Sequence, residues 1–255
     1  ASTAGNGDIA VNNAVSWSAN QLTLSAHRNI NINANLNGSG TASLALEYGM
    51  GSSDGVVGGT AASANINAAV NLAAGPHFST QLGSAGPLKN YTVITSLGAQ
   101  DSTTATDLQG MQWDLTRNYA LGSHIDASAT ASWNAGAGFK PVGFASAGAT
   151  AFTGTFDGLG HTISNLRIQR PTSVDVGLFG AAADNAEIRN VGLLGGSVVG
   201  GAGTGSLLGT AVLAYINHSY NTGSVSGAAG TGGLAGVITT GGISASYNTG
   251  PVSGA

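Results

Sequence analysis

Three aspartates define the chemistry this chain could perform. Asp126, Asp157 and Asp184 follow one another at near-regular spacing, and Arg167 and Arg189 lie near them in sequence. Carboxylates that converge on one groove can serve as general acid and base. Stacked on successive layers they could instead hold Ca2+, with one of the arginines as base, as a polysaccharide lyase or hydrolase would require. Each aspartate also has a purely structural reading. Asp157 precedes Gly158 in a turn, Asp184 precedes Asn185 at a corner, and Asp126 stands at a strand end. The structural reading is preferred, so no catalytic residue is assigned and the chain is expected not to be an enzyme.

Histidine and cysteine chemistry is thin. His27, His77, His124 and His218 lie far apart and form no His-x-x-x-His ligand spacing. His161, after Gly160, reads as a side chain bonding backbone at a corner. There is no cysteine, which removes disulfides and thiolate metal sites. No metal and no cofactor is expected.

Binding side chains are easier to name. Tyr220-Asn221-Thr222 returns as Tyr247-Asn248-Thr249, and the two tyrosines could form an outward platform for sugar rings. Alternation from Ile216 through His218 instead places Tyr220 on the face of Ile216, toward the core. Trp133, in a Gly-rich stretch, is a freer candidate for ligand contact. Thr222 and Thr249 alone are too few for an ice-binding face. Asn37-Gly38-Ser39, Asn90-Tyr91-Thr92 and Asn217-His218-Ser219 match the glycosylation sequon and read as chance matches.

The elements that must position these residues are repeats. Gly205-Ser206-Leu207-Leu208-Gly209 and Ser219-Tyr220-Asn221-Thr222-Gly223-Ser224-Val225-Ser226-Gly227 both recur at one fixed offset, in Gly232 to Gly236 and Ser246 to Gly254. A fainter copy runs from Val176-Gly177-Leu178-Phe179-Gly180 through Ile188 and Val191. A Gly-rich period of this length suits a solenoid of short strands, each paired with its equivalent one layer away. Leu207 should then stand over Leu234, Ile216 over Ile243, Tyr220 over Tyr247 and Val225 over Val252. The Asn-Thr-Gly triplets read as corners with positive φ. Nearer the N-terminus, alternating pairs such as Leu22 and Leu24 predict strands, and the steps Ile9 to Ile30, Leu22 to Leu44 and Leu44 to Ile66 give a shorter, nearly constant layer. Asn12, Asn31, Asn33, Asn65 and Asn67 flank the apolar positions and should form side-chain ladders.

Residues 88–150 break the pattern. Leu108, Met111 and Leu115 sit at helical spacing after Thr106-Asp107, which predicts a short helix on the flank. The expected architecture is all-β, a right-handed parallel β-helix with that short helix on its side. Its parts are coils over 1–87, an insertion over 88–150 and repeat coils over 151–255, as one continuous body. Ala255 follows a complete repeat without a polar cap, which suggests a segment of a longer protein.

Only 7% of residues are charged, 42% are hydrophobic and 42 are glycine. Such a chain is not disordered by composition. A net charge of −4 with seven scattered Lys and Arg residues argues against a nucleic-acid partner, and no apolar run is long enough to span a membrane.

Residues 20–33 (Asn20-Gln21-Leu22-Thr23-Leu24-Ser25 through Asn29-Ile30-Asn31-Ile32-Asn33) resemble the strand-and-turn phrase of filamentous-haemagglutinin-like adhesins exported by two-partner secretion. Residues 119–130 (Tyr119-Ala120-Leu121-Gly122-Ser123-His124-Ile125 onward), 138–143 and the Phe156-Asp157-Gly158-Leu159-Gly160-His161 segment are similar to phrases in the same passengers, and the C-terminal units resemble GLUG-motif repeats. The resemblance covers nearly the whole chain. It implies a Gram-negative, secreted protein at the cell surface or in the biofilm matrix. An outer-membrane two-partner transporter would be its export partner and an exopolysaccharide or surface glycan its ligand, as in matrix adhesins regulated by cyclic di-GMP. A passive spacer within a fibre is the other non-enzymatic expectation. The secretion domain's Asn-Pro-Asn-Gly motif is not recognisable here.

Overall fold

The computed structural model describes residues 5–143 and 151–254; Ala255, read above as an uncapped repeat end, lies outside them. The chain is all-β, with short strands stacked in parallel on their sequence equivalents. The first three layers are Ile9–Val11, Val15–Trp17 and Gln21–Ser25; Ile30–Ile32, Leu36–Gly38 and Ser43–Tyr48; and Ala64–Ile66, Val70–Asn71 and Gly75–Leu82. Ile9 pairs with Ile30 and Leu22 with Leu44, as the short N-terminal interval predicts. The next interval is longer than expected. Leu44 pairs with Phe78, not with the level of Ile66, and Ile32 pairs with Ile66. The added length is a side excursion between layers that carries the hairpin Val56–Val57 and Thr60–Ala61.

The expected asparagine ladders are present. Asn33 Nδ2 donates to Asn12 Oδ1 at 2.9 Å, Asn67 Nδ2 to Asn33 Oδ1 at 2.8 Å and Asn65 Nδ2 to Asn31 Oδ1 at 2.8 Å. Each amide meets its copy one layer on, so outward polar positions reinforce the register that the inward Ile and Leu positions set.

After Leu82 the chain reverses. Lys89–Ile94 lies antiparallel to Gly75–Leu82, with Tyr91 opposite Phe78. Every later strand of this nine-stranded sheet then runs parallel to Lys89–Ile94, from Asn118–Leu121 through Thr155–Asp157, Phe179–Arg189 and Leu208–Asn217 to Ala235–Ser244. The stretch expected as an insertion therefore supplies two central strands. The core changes face at the same place. Leu44, Phe78, Tyr91, Val93 and Ala120 belong to the N-terminal core. Ile94, Tyr119, Leu121, Phe156, Ile188 and Ile216 belong to a second core on the opposite side. Neighbouring residues of one strand point to opposite faces, so Val93 and Ile94 feed different cores.

The second stack follows the predicted repeat. Ile216 pairs with Ile243, Tyr220 with Tyr247 and Val225 with Val252, and Leu207 N–H donates to the Leu234 carbonyl at 3.0 Å. Ile188 pairs with Ile216 in the fainter copy. Its centre is aromatic: the Phe179 ring lies 4.8 Å from Phe152 and 5.3 Å from Phe156, and all three are fully buried. Burial of each such side chain is worth about 1.5–3 kcal/mol.

Three local expectations are corrected. The flanking helix is a 3-10 segment, Gln109–Trp113, and not an α-helix. Leu108 and Met111 are buried, whereas Leu115 lies beyond the segment and only half-covers the core. The N-cap position is Leu108, one residue later than expected, and Asp107 just before it accepts from Gly110 N–H at 2.7 Å. A second 3-10 stretch, Ser128–Gly136, replaces the expected loop around Trp133 and is broken there by a kink. The positive-φ corners are not at Asn-Thr-Gly. A positive φ recurs instead just before each repeat's short strand, at Asn190, His218 and Ala245. Glycine is required at the triplets by contact instead, since a Cβ on Gly223 would stand 2.1 Å from the Gly195 carbonyl oxygen.

Candidate functional site

The three aspartates do not converge. Asp126 is exposed in the sheet of Ile125–Asp126 and Thr162–Ser164. Hydrogen bonds from Asn165 and then Ser128 hold its carboxyl below the usual range. Asp184 takes a φ of 55° in the bulge between Ala183 and Ala186. Arg167 belongs to Arg167–Gln169, in another sheet. Only Asp157 and Arg189 meet, as register neighbours on adjacent strands. Among the described residues, no group of three or more His, Asp or Glu side chains is placed to hold a metal.

The Tyr-Asn-Thr repeat is ordered with the parity opposite to that expected for a buried tyrosine. His218 adopts φ 49° and turns the chain, which resets the alternation. Asn221 therefore points inward, buried, and donates to Asn248 Oδ1 at 2.7 Å and to the Gly223 carbonyl at 2.8 Å. Tyr220 and Tyr247 point outward with their rings stacked 5.3 Å apart at 7°. Tyr220 lies flat over Gly192, where a Cβ would collide with its ring at 2.3 Å. A sugar stacks on an aromatic face, and both Tyr220 faces are occupied; Tyr247 keeps one. Thr222 Oγ1 accepts from Gly195 N–H at 2.9 Å, while Thr249 is exposed. Trp133 is half-buried against the second core, so it covers the flank.

A more developed site lies where the two stacks meet. The third N-terminal layer is docked on the second stack through Val70 N–H to the Leu159 carbonyl (3.0 Å), Leu72 N–H to the Gly122 carbonyl (3.2 Å) and His161 Nε2–H to the Val70 carbonyl (2.9 Å). Burial, the largest influence, lowers the pKa of His161, and nearby His124 lowers it further. With Nε2 donating, Nδ1 is buried without a partner, so a second proton there would be unsatisfied.

Beyond this seam the sheet face that carries the N-terminal core emerges into solvent. One register row runs Val93, Ala120, Asp157, Arg189, Asn217, Ser244. Its character changes from apolar to polar at Asp157, which is still buried, and exposure then rises through Arg189 and Asn217 to Ser244. Arg189 Nε donates to Asp157 Oδ2 at 2.7 Å, Nη1 to Glu187 Oε2 at 3.0 Å and Nη2 to Tyr91 OH at 3.3 Å. Glu187 Oε1 accepts from Asn217 Nδ2 at 3.0 Å. Burial pushes the Tyr91 phenol up to about 12 and raises that of Tyr48, so both stay protonated at neutral pH.

Glu187 and Arg189 of this network floor a cavity of about 600 Å3 walled by Tyr48, Asp54, Leu82, Pro87 and Lys89. It continues through a space of about 200 Å3 that shares Tyr48, Leu82, Glu187 and Arg189. A third space of about 290 Å3, reached past Asn65, Asn190 and His218, completes a groove along the junction. Sequence reasoning placed no binding residue here. A signal existed: Glu187 and Arg189 flank the core residue Ile188, so alternation puts both outward, in a chain with few charges.

The chain is similar to halomucin of Haloquadratum walsbyi (strain DSM 16790 / HBSQ001), with 46% identity over 112 residues. The match covers 42% of this chain and 1% of that protein. No family model matches the chain, and no solved structure does. Among the described residues no helix is long and apolar enough to cross a membrane.

Proposed function

We propose that this chain is a segment of a secreted, surface-displayed adhesin, a stiff rod that binds polysaccharide in its junction groove. The layers would wind as a right-handed parallel β-helix, the hand that parallel strand connections overwhelmingly take. Many such segments along one fibre would give avidity from individually weak contacts. The similarity to 1% of halomucin supports a segment of a far longer chain. Export through a two-partner outer-membrane transporter of a Gram-negative cell is the route that the resemblance to haemagglutinin-like passengers implies.

The observation that carries the reading is the groove itself, elongated, lined by both stacks and floored by charges that already neutralise one another. Co-sedimentation of the purified chain with bacterial exopolysaccharides and host glycans tests it, with products followed by reducing-end and double-bond absorbance. Saturable binding without new chain ends is expected. Release of new ends with turnover would overturn the non-enzymatic reading and make Glu187 and Arg189, which line the groove, the candidate residues of a lyase or hydrolase site. Absence of binding would leave a spacer.

A further inference from the structure

We infer that the junction groove accepts a linear, uncharged polysaccharide, which touches both stacks and braces their seam. The inference rests on the adhesin reading and specifies its ligand class. Charge comes first. Asp54 and Glu187 line the cavity together with two cations, Lys89 and Arg189, so the lining side chains carry no net charge before any ligand enters. Arg189 is already engaged by Asp157, Glu187 and Tyr91. Lys89, whose Nζ reaches Thr155 Oγ1 at 3.5 Å, is the cation left at the mouth among the described residues lining it. A polyuronate would bring a carboxylate with each sugar and find one counter-charge.

Hydrogen-bond polarity points the same way. Asn65, Asn67 and Asn190 are each pinned through Nδ2, to Asn31, Asn33 and Asp157 respectively, at 2.8, 2.8 and 2.9 Å. Each thereby turns its side-chain carbonyl into an acceptor of fixed position along the groove. Hydroxyl groups can donate to these oxygens and carboxylates cannot. Leu82, which is 38% exposed, and Pro87 supply apolar surface for the C–H faces of sugar rings. The cavities join end to end through shared residues, which suits a chain interior better than a single terminal sugar.

Calorimetric titration of the full chain distinguishes the outcomes. The probes are hexasaccharides from neutral glucans and mannans, oligogalacturonate and chitosan oligomers. At least one neutral probe should bind, with affinity changing less than about twofold between ~0.05 and ~0.5 M salt. Oligogalacturonate and chitosan should bind at least about tenfold more weakly. Ala85→Trp, at an exposed position lining the cavity, should abolish binding while the melting temperature is retained. Tighter binding of a charged probe, or a steep salt dependence, overturns the uncharged-ligand assignment. Unchanged binding by Ala85→Trp and by a second blocking variant, Ser53→Trp, overturns the groove as the site and the ligand class argued from its lining, and leaves an adhesin that binds polysaccharide elsewhere on the chain. If no probe binds wild type, both fall.

Discussion

Deleting the Asp157 carboxylate should destabilise the chain by about 3 kcal/mol. Asp157 is 2% exposed and accepts hydrogen bonds from Arg189 Nε at 2.7 Å, from Asn190 Nδ2 at 2.9 Å and from Leu159 N–H at 3.0 Å. Asp157→Ala removes all of these and leaves Arg189 with Glu187 and Tyr91. Breaking a buried ion pair by removing one partner costs about 3–5 kcal/mol. The Arg189 side chain is 19% exposed and keeps a second carboxylate, which places the loss at the low end. Arg189→Met strands Asp157 with its two amide donors and should cost about 2–3 kcal/mol on the same grounds. If the pair acts as a unit, Asp157→Ala/Arg189→Met costs less than the sum of the single changes by about 1.5–3 kcal/mol. Urea unfolding followed by circular dichroism reads all four species. Additivity within about 0.5 kcal/mol would refute the idea that this network is what organises the groove floor.

Two further outcomes follow from the seam and the repeat. His161 has a folded pKa below its unfolded value of about 6.5, so the unfolded state binds the proton more readily. Stability should be complete above that pH and decline as pH falls through it toward the folded value, and melting temperatures of His161→Gln across about pH 5 to 8 should lack this slope. Gly223→Ala places a methyl against backbone one layer away and should destabilise by about 1–3 kcal/mol, whereas the same change at Gly242, which has open space, should cost under about 1 kcal/mol in thermal unfolding.

Much of the fold is legible in the chain because stacking forces like over like. Ile216 over Ile243, Val225 over Val252 and the asparagine ladders are each visible as an interval. What escapes is parity and direction. Tyr220 points outward because His218 takes a left-handed φ, a conformation its residue type does not announce. The longer step from Leu44 to Phe78 hides behind an excursion whose hairpin strands are very short. The return at residues 83–88 reverses the sheet and moves the core to its other face; alternation within Lys89–Ile94 is the same whichever face is buried. The groove depends on that reversal, so Tyr48, Lys89, Asn65 and Glu187 come together from positions that share no spacing.

Hydrogen–deuterium exchange with and without a bound neutral oligosaccharide tests the central claim most directly. A ligand in the junction groove should slow exchange in residues 49–66 and 83–89 and leave 220–224 and 247–251 unchanged. Protection confined to the Tyr220 and Tyr247 repeats, with the groove loops unaffected, would contradict it.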